Sequence, residues 1–307
     1  MNEILVAVWM VTYNHENFIE QAIESVMKQE TDFDFMLFIG EDCSTDNTRV
    51  ICERLKEKYP DQITLLLNEI NIGGRANACN VYKACLDSSA PYIALIEGDD
   101  YWTDSQKLQK QIDHLEANPS YSYSWTRFQT LDQNTGSLTL DFNQKYFPND
   151  EYAIDFDFER SLRGWHIGTQ TMVFRSKYFD LEALNKFKYF RDIHIVAHLL
   201  KHGNGVCLNF IGAIYRVHED GFHSSVTAYQ GYVRGYNCHK EIYLDNKNNV
   251  FLKKKYLLSF QNFINAMIQE KKLLKAFWKN LELFFIQGSL LAFLRNLKRI
   301  LKKGISS

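Results

Sequence analysis

The sequence predicts an α/β fold with a mostly parallel central sheet flanked by helices. The first observation is that short apolar runs alternate with segments of helical periodicity up to residue 96. The second is the stretch LIEGDDYWTD, residues 95–104, in which an apolar run leads directly into Glu97, Asp99 and Asp100. Open α/β sheets bind ligands beyond the carboxyl ends of their strands, and these acids would lie there.

Four apolar runs are predicted to be buried strands, because each is short and is bounded by polar or turn residues. These strands cover residues 4–11, 35–39, 63–67 and 92–96. The segments between them have apolar residues at helical spacing, and the predicted helices cover residues 17–29, 48–58 and 75–86. Ser44 or Asp46 can cap the second helix. This order of elements is typical of a parallel sheet covered on both faces.

The composition is that of a folded protein with no global preference for nucleic acid. Of the 307 residues 46% are hydrophobic, and the formal net charge is −2. Six cysteines without a CxxC pair are typical of a reducing compartment. The first apolar run follows Glu3 without a basic region, so it is predicted to be a strand and not a signal peptide. We also expect no transmembrane span, since every apolar run is too short.

The C-terminal region is strongly basic and is predicted to be helical. From residue 271 onward it has nine Lys or Arg residues and one acid, Glu282. Helices are predicted for residues 253–269 and 271–285. A third follows from the helical spacing of Leu290, Leu294, Leu297 and Leu301. Because basic residues lie between these leucines, this helix could lie on an anionic membrane face, or it could pack on the protein with its basic face in solvent.

The cluster of Glu97, Asp99 and Asp100 predicts a cation site. One acid would suffice to cap the helix that is predicted to begin near Ser105. Three carboxylates within four residues repel one another, and a bound cation would offset that repulsion. Hard oxygen ligands suit Mg²⁺ or Mn²⁺, which take further ligands from substrate phosphates. The chain has no GxGxxG after the first strand and no GxxxxGK[ST], which disfavours a dinucleotide dehydrogenase and a P-loop enzyme.

Several motifs together resemble a family 2 glycosyltransferase with the GT-A fold, of the type that builds bacterial capsule, lipopolysaccharide and other cell-surface polysaccharides. The first group is VTYNHENFIEQAIESVMKQ, FIGEDCSTDNT, NIGGRANACN and YIALIEGDDYWTDSQKLQKQ, and it covers about residues 4–119. WHIGTQTMVFR, RDIHIVAHLLKHG and AIYRVHEDGFHSS resemble the acceptor half. The resemblance implies a catalytic domain at 1–225, with a nucleotide-binding half at 1–119 and an acceptor half at 120–225. A helical C-terminal extension would follow at 226–307.

The resemblance assigns several residues to the nucleotide. Val11 and Tyr13 match the positions that hold the base, and the Tyr13 ring is available for stacking. Asp42 matches the acid that binds the base or the ribose. Arg75 and Asn77 fall in the stretch that approaches the nucleotide from the third strand, and the assignment between these two stays open.

The resemblance also implies Mn²⁺ or Mg²⁺ as the cofactor. Asp99 and Asp100 match the DxD-type pair, so that Asp99 would lie near the ribose and donor sugar and Asp100 would ligate the metal. Glu97 matches the first acid of the motif and would orient the turn. His218 can complete the metal shell, or it can be a loop histidine that packs over the site.

The base of the family is an Asp that opens a helix after the acceptor block, and this position matches Asp192. The family usually has Glu-Asp or Asp-Trp here, whereas this chain has Arg191-Asp192-Ile193-His194. His194 could therefore be the base instead, and Asp192 could be only a helix N-cap. Thr169 and Gln170 match positions beneath the donor sugar, and His223 and Ser224 lie on a segment that could close over the donor. A sugar site could be lined by the stacking of Trp102, Trp125 and Trp165. For each tryptophan, packing in the core is the alternative.

The resemblance therefore implies an inverting, metal-dependent glycosyltransferase. It would move a sugar from a nucleoside diphosphate donor, UDP by family habit, to a glycan or a lipid-linked acceptor. The expected location is the cytoplasm, at the inner face of the plasma membrane. One alternative is a sugar nucleotidyltransferase, although the GxGxR loop of such enzymes is absent after the first strand. The other is a non-catalytic nucleotide-sugar-binding module, against which the intact acids argue.

Overall fold

The computed structural model describes residues 3–219, 221 and 226–305. These residues form two compact units. The first unit contains the described residues within Met1–Asn185 and Ile195–Gly221, and the second contains those within Lys186–His194 and Phe222–Ser307. A short segment before residue 195 thus belongs with the C-terminal helices.

A ten-stranded sheet forms the centre of the first unit. Its strands are β1 (Val6–Thr12), β2 (Phe35–Glu41), β3 (Ile63–Leu67), β4 (Tyr92–Glu97), β5 (Tyr101–Trp102), β6 (Tyr121–Asp132), β7 (Leu138–Leu140), β8 (Ala153–Phe156), β9 (Val173–Arg175) and β10 (Asn204–Val217). Their order is β3-β2-β1-β4-β9-β6-β10-β5, with β7 on β6 and β8 on β10. The sheet is parallel over β1 to β4, and β6 and β10 are also parallel. The short strand β9 joins these two parts and is antiparallel to both β4 and β6.

Helices cover both faces of the parallel part of the sheet. They are α1 (Ile19–Met27), α2 (Thr48–Lys58), α3 (Gly74–Asp87) and α4 (Lys107–Ala117). Val8 and Met10 of β1 pack in one core with Ile23 of α1. Trp9, which points to the opposite face, stacks on Tyr82 of α3 with ring centroids 4.8 Å apart. Successive side chains of β1 therefore pack alternately into two apolar layers, one on each face of the sheet, as expected for a buried parallel strand.

The predicted strands and helices of the first hundred residues are confirmed, each within two residues at either end. The predicted cap of α2 at Ser44 or Asp46 is wrong, because the N-cap is Asn47 and its side chain makes no capping hydrogen bond. Asp46, one residue earlier, accepts a hydrogen bond from the Thr48 N–H at 2.9 Å. Two further helices, α5 (Leu181–Asn185) and α6 (Asp192–Leu199), follow the sheet strand β9. The boundary between the two units falls inside α6.

The second unit is built mainly from α7 (Ala228–Asp245), α8 (Val250–Gln269), α9 (Leu273–Gln287) and α10 (Leu290–Ile305). Its core contains aromatic side chains of α7 and α8, together with Leu283 of α9 and Ile300 of α10. Gly288 ends α9 in the left-handed conformation, with φ of 71°, which a residue with a side chain adopts at a cost. Ser289 then leads directly into α10.

Three amide side chains join α8, α9 and α10 in the interior of the second unit. Asn296 donates to Gln261 Oε1 at 2.9 Å and to Asn280 Oδ1 at 3.0 Å. The Gln261 amide donates back to Asn296 Oδ1 at 3.0 Å. Asn280 donates to the Phe293 carbonyl at 3.0 Å, and both asparagines are buried. These bonds satisfy polar groups that burial would otherwise leave without a partner. Among the described residues, none of the helices is long and apolar enough to cross a bilayer.

Candidate active site

The carboxyl ends of β1, β2 and β4 meet at one edge of the sheet. In the parallel register Thr12 lies opposite Glu41, and Val11 lies opposite Glu97. The polar residues that follow each strand therefore lie at the same edge, as the sequence predicted. The approach of β4 to β1 is close, because a Cβ atom on Gly98 would lie 2.8 Å from the Thr12 side chain. Glycine at this position lets the acidic turn lie directly against the end of β1.

Asp100 is buried at the turn after β4, with 1% of its surface exposed. Its Oδ1 accepts a hydrogen bond from the backbone N–H of Arg216 at 2.8 Å. The Arg216 guanidinium donates to the Asp99 carbonyl at 2.6 Å and also contacts Gln21. Burial raises the pKa of Asp100 well above its usual range, and the charges of Asp99 and Glu97 raise it further. Strand β10 thus holds the acidic turn from the side opposite β1.

Asp99 lies between two histidines. His218 Nε2 is 3.2 Å from Asp99 Oδ2, and His15 Nε2 is 3.9 Å from the same oxygen. His15 Nδ1 is in turn 3.2 Å from Thr12 Oγ1. Burial acts to raise the pKa of Asp99, but the hydrogen bond from His218 and the charges of both imidazoles lower it below its usual value. The two neighbouring acids are therefore shifted in opposite directions.

His15 was not predicted as a site residue, although it lies in the motif TYNHEN at the end of β1. Burial lowers the pKa of its imidazole, while the Asp99 carboxylate opposes that shift. His218 packs on Phe18 with ring centroids 4.6 Å apart. The only signal in the sequence that points to His15 is its place three residues beyond the end of β1.

The acidic turn fits a divalent cation that shares its coordination with a ligand. Among the described residues, no group of three or more His, Cys, Asp or Glu side chains is arranged as a complete metal site. Mg²⁺ and Mn²⁺ are commonly held by one or two carboxylates and complete their shells with water and phosphate oxygens. The buried Asp100, beside two further acids, supplies hard oxygen and excess negative charge. Asp100 is the first candidate ligand, and His218, which contacts Asp99, is the second.

Asp42 lies in a buried network at the end of β2. Its Oδ1 accepts from the Asn68 amide at 3.0 Å and from the Ile72 N–H at 2.9 Å, and its Oδ2 accepts from the Gly73 N–H at 2.9 Å. These bonds occupy three of about four acceptor positions of a carboxylate. Asn77 is buried beside it and donates to the Gly40 carbonyl at 2.8 Å. Asp42 thus holds the loop that leads into α3, and Asn77 anchors the start of α3 to the end of β2.

The other residues assigned to the nucleotide lie nearer the surface. Tyr13 has 40% of its surface exposed, which leaves its ring accessible for stacking, and Val11 is half-buried. Arg75 is exposed, and its guanidinium donates to the Asn185 carbonyl at 2.8 Å. Among the described residues at this edge, Tyr13 therefore presents the most accessible ring next to the end of β1.

The residues predicted near the donor sugar differ in how far their side chains are buried. Gln170 is buried and its carbonyl accepts from the Trp102 indole at 2.8 Å. Trp102 and Trp125 are buried, so the alternative of core packing holds for both. Trp165 is half-buried and stacks on Tyr146, with ring centroids 4.2 Å apart. Thr169 begins the short 3₁₀ turn that contains Gln170, and His223 and Ser224 lie outside the described residues.

The two candidate bases, Asp192 and His194, belong to the second unit. Asp192 is the first residue of α6 and is partly exposed. The His194 ring is buried, its Nδ1 accepts from the Arg191 N–H at 3.1 Å, and its Nε2 lies 3.5 Å from Glu241 Oε2. Both ring nitrogens thus face groups of the protein. Asp192 is therefore the more accessible of the two side chains.

The chain is similar to known glycosyltransferases in sequence and in fold. The model of glycosyl transferase family 2 matches residues 7–180. An uncharacterized protein of Mycobacterium tuberculosis is 30% identical over 220 residues, which cover 71% of this chain and 60% of that relative. The UDP-Glc:alpha-D-GlcNAc-diphosphoundecaprenol beta-1,3-glucosyltransferase WfgD of Escherichia coli is 29% identical over 231 residues, which cover 73% of this chain and 82% of WfgD.

The chain also shares its fold with solved glycosyltransferase structures. The mannosyltransferase PcManGT from Pyrobaculum calidifontis, solved in complex with GDP-Man and Mn²⁺, aligns with a TM-score of 0.58 at 15% identity. The alignment covers 98% of this chain and 79% of that chain. At this identity the likeness shows a shared fold alone. The GT-A fold predicted from the sequence is confirmed.

Proposed function

The chain belongs to glycosyl transferase family 2, and from this premise we propose that it transfers a sugar in the synthesis of a cell-surface polysaccharide. The donor in this proposal is a nucleoside diphosphate sugar, with UDP as the first nucleotide to test. The acceptor is a glycan or a lipid-linked saccharide. The observation that carries the proposal is the acidic turn after β4. It combines a buried Asp100, whose pKa is raised, with an Asp99 that contacts His218. Opposite shifts in two adjacent acids are typical of functional sites.

We assign the donor to the first unit. Tyr13 stacks on the base and Val11 contacts it, while Asp42 and Asn77 shape the wall behind it and Arg75 reaches the nucleotide from the start of α3. The exposure of Tyr13 and the buried network around Asp42 support these roles. WfgD, whose name includes UDP-Glc, supports a UDP-sugar donor.

Asp99 is assigned to the ribose and the donor sugar, and Asp100 and His218 are assigned to Mn²⁺ or Mg²⁺. A divalent cation, when bound, neutralises the charge that develops on the leaving diphosphate. The chain itself contributes the position of the carboxylates, because Arg216 fixes Asp100 and the histidines fix Asp99. The presence of Mn²⁺ in the PcManGT complex supports this choice of metal.

Asp192 is assigned as the base that takes the proton of the attacking acceptor hydroxyl. Proton removal as the oxygen attacks makes one direct displacement possible, and such a displacement inverts the anomeric carbon. The partial exposure of Asp192 and the engaged ring of His194 support this choice. We retain residues 1–225 as the catalytic domain, 1–119 as its nucleotide-binding half and 226–307 as the helical extension. The six free cysteines support a cytoplasmic location for the reaction.

The proposal is tested by a screen of nucleotide sugars in the presence of Mn²⁺. A ligand at 100 times its dissociation constant should stabilise the protein by about 2.7 kcal/mol, which raises the melting temperature measurably. The donor that passes the screen should then release nucleoside diphosphate faster when a saccharide acceptor is added. Release of pyrophosphate from a nucleoside triphosphate and a sugar 1-phosphate would indicate a nucleotidyltransferase, and stabilisation by a nucleotide sugar without turnover in the presence of acceptors would indicate a binding module.

Asp42→Ala tests the wall of the nucleotide site. The substitution removes the acceptor of the Ile72 and Gly73 amides, so we expect UDP affinity to fall by about 1.5–3 kcal/mol. Isothermal titration with UDP measures this change, and urea unfolding reports the accompanying loss of stability. Asn71→Ala is the matched control, because exposed Asn71 Oδ1 accepts from the same Gly73 N–H at 3.0 Å. An unchanged dissociation constant in Asp42→Ala would remove Asp42 from the site.

A further inference from the structure

The second unit leaves large apolar side chains uncovered on its last two helices. Those about half exposed or more are Leu274, Trp278 and Phe285 of α9 and Leu290, Leu291, Leu294 and Leu301 of α10. We call this set the outer hairpin face. The largest exposed fractions are 79% for Leu291 and 77% for Phe285, which lie on either side of the turn between the helices. Several large apolar side chains exposed on one pair of helices are typical of an interaction surface.

The outer hairpin face follows from helical geometry. Trp278 and Phe285 are seven residues apart, which places them on one side of α9. Leu290, Leu294 and Leu301 have spacings of four and seven and form one stripe along α10. A different side of α10 carries Asn296 and Ile300, which are buried within the second unit. The last helix therefore packs by one side and still presents a leucine stripe to solvent.

Basic residues border the leucine stripe. Arg295, Lys298 and Lys302 are exposed, and their positions place them along the flank of α10 next to Leu294 and Leu301. Among residues 271–305 there are nine Lys or Arg and a single acid, Glu282, whose carboxylate contacts Lys279 at 2.6 Å. The surface is thus apolar at its centre and positively charged at its border.

We propose that the outer hairpin face binds an anionic lipid bilayer by inserting into the interfacial region of one leaflet. Phe285 and the leucines beside the turn enter the boundary between headgroups and acyl chains, and the basic flank contacts lipid phosphates. Trp278 suits the interface, because an indole has an apolar body and a polar N–H. A second copy of the chain fits less well, since each copy would bring the same positive flank to the contact. This binding does not depend on the proposed transfer reaction.

Cosedimentation with vesicles tests the proposal on the full chain. The protein should bind vesicles of phosphatidylglycerol mixed with phosphatidylcholine, and should bind pure phosphatidylcholine vesicles much more weakly. The double variant F285Q/L291Q should weaken binding by at least about tenfold, because two apolar side chains no longer enter the bilayer. Both residues are largely exposed, so the fold is retained. Deletion of α10 is unsuitable, because it would uncover the core around Ile300.

Leu258→Gln is the matched control. Leu258 lies on α8, outside the outer hairpin face, and is 50% exposed, close to the 49% of Leu294. Its substitution should leave vesicle binding unchanged. The variant R295Q/K298Q should lower the affinity for anionic vesicles by about fivefold for each charge removed, and the loss should be smaller at high salt. The wild-type protein and the three variants should be stabilised equally by the nucleotide-sugar donor in thermal unfolding. This readout separates the inference from the proposed transferase activity.

The fluorescence of Trp278 can be used to detect insertion into the bilayer directly. Trp9, Trp102 and Trp125 are buried and Trp165 is half-buried, whereas Trp278 is 59% exposed. Anionic vesicles should shift the fluorescence to shorter wavelength, and Trp278→Phe should lose the shift while still cosedimenting. The inference is overturned if the wild-type protein does not bind anionic vesicles, or if it binds both vesicle types with equal affinity. It is likewise overturned if F285Q/L291Q binds anionic vesicles as tightly as the wild-type protein does. It is also overturned if that variant instead converts a dimer into a monomer in gel filtration.

Discussion

Asp100→Asn is expected to lower sugar transfer by at least about a hundredfold while the fold stays intact. Asparagine keeps an oxygen that can accept the hydrogen bond from the Arg216 N–H, so the turn after β4 retains its anchor on β10. What is lost is the charge of a buried carboxylate beside Asp99 and Glu97. Without nucleotide, the free energy of unfolding should be unchanged or increased, since three like charges become two.

The measurement is turnover of the nucleotide sugar with Mn²⁺, combined with urea unfolding of the free protein. Asp104→Asn is the matched control, because Asp104 is a further acid in the same stretch and pairs with Lys110 at 2.5 Å. That control should retain most of its activity. If Asp100→Asn turns over the donor at the wild-type rate with Mn²⁺, Asp100 is not a metal ligand.

Asp192→Asn is expected to reduce transfer by a factor of about 10² to 10⁴, the usual contribution of a general base. Asparagine has nearly the same shape and can still stabilise the start of α6, so the substitution removes the proton-accepting role alone. The residues assigned to nucleotide and metal all belong to the first unit, whereas Asp192 belongs to the second. UDP affinity should therefore stay within about threefold, or roughly 0.7 kcal/mol.

Single-turnover transfer and isothermal titration with UDP measure the two quantities separately. His194→Gln is the informative comparison, because His194 is buried and contacts Arg191 and Glu241. We expect it to lower the stability of the protein more than its transfer rate. Persistent transfer in Asp192→Asn, together with its loss in a folded His194→Gln, would identify His194 as the base.

The fold of the first hundred residues could be predicted because local pattern and tertiary burial agree there. Each of the strands β1 to β4 is a short apolar run, and the helices between them have a clear apolar side. Helix α7 was not predicted, since Gly231, Gly235 and several polar residues interrupt its pattern. The inclusion of residues 186–194 in the second unit depends on contacts such as that of Lys186 with Asp245. Such contacts leave no periodic signal in the sequence.

The candidate site was predictable in its position but not in its contacts. Strand order alone places Asp42 and Asp99 at one edge, because the carboxyl ends of parallel strands coincide. The contact of His218 with Asp99 joins residues 119 positions apart, and the approach of His15 to the same carboxylate depends on the close packing of Gly98. Such contacts cannot be predicted from the sequence alone, because the types of two distant residues do not indicate whether their side chains are hydrogen-bonded to each other.

The linked amides of Gln261, Asn280 and Asn296 limit how the last two helices can move. Sliding α10 by one helical turn, about 5.4 Å, would separate Asn296 from both partners and leave several polar groups buried without hydrogen bonds. Each such group costs about 1–3 kcal/mol. Several of them together would cancel much of the free energy of unfolding of a small domain, which is about 5–15 kcal/mol. The leucines of α10 therefore cannot retract into the interior by rotation or sliding. Their exposure is a fixed property of the folded chain and not one state of a switch.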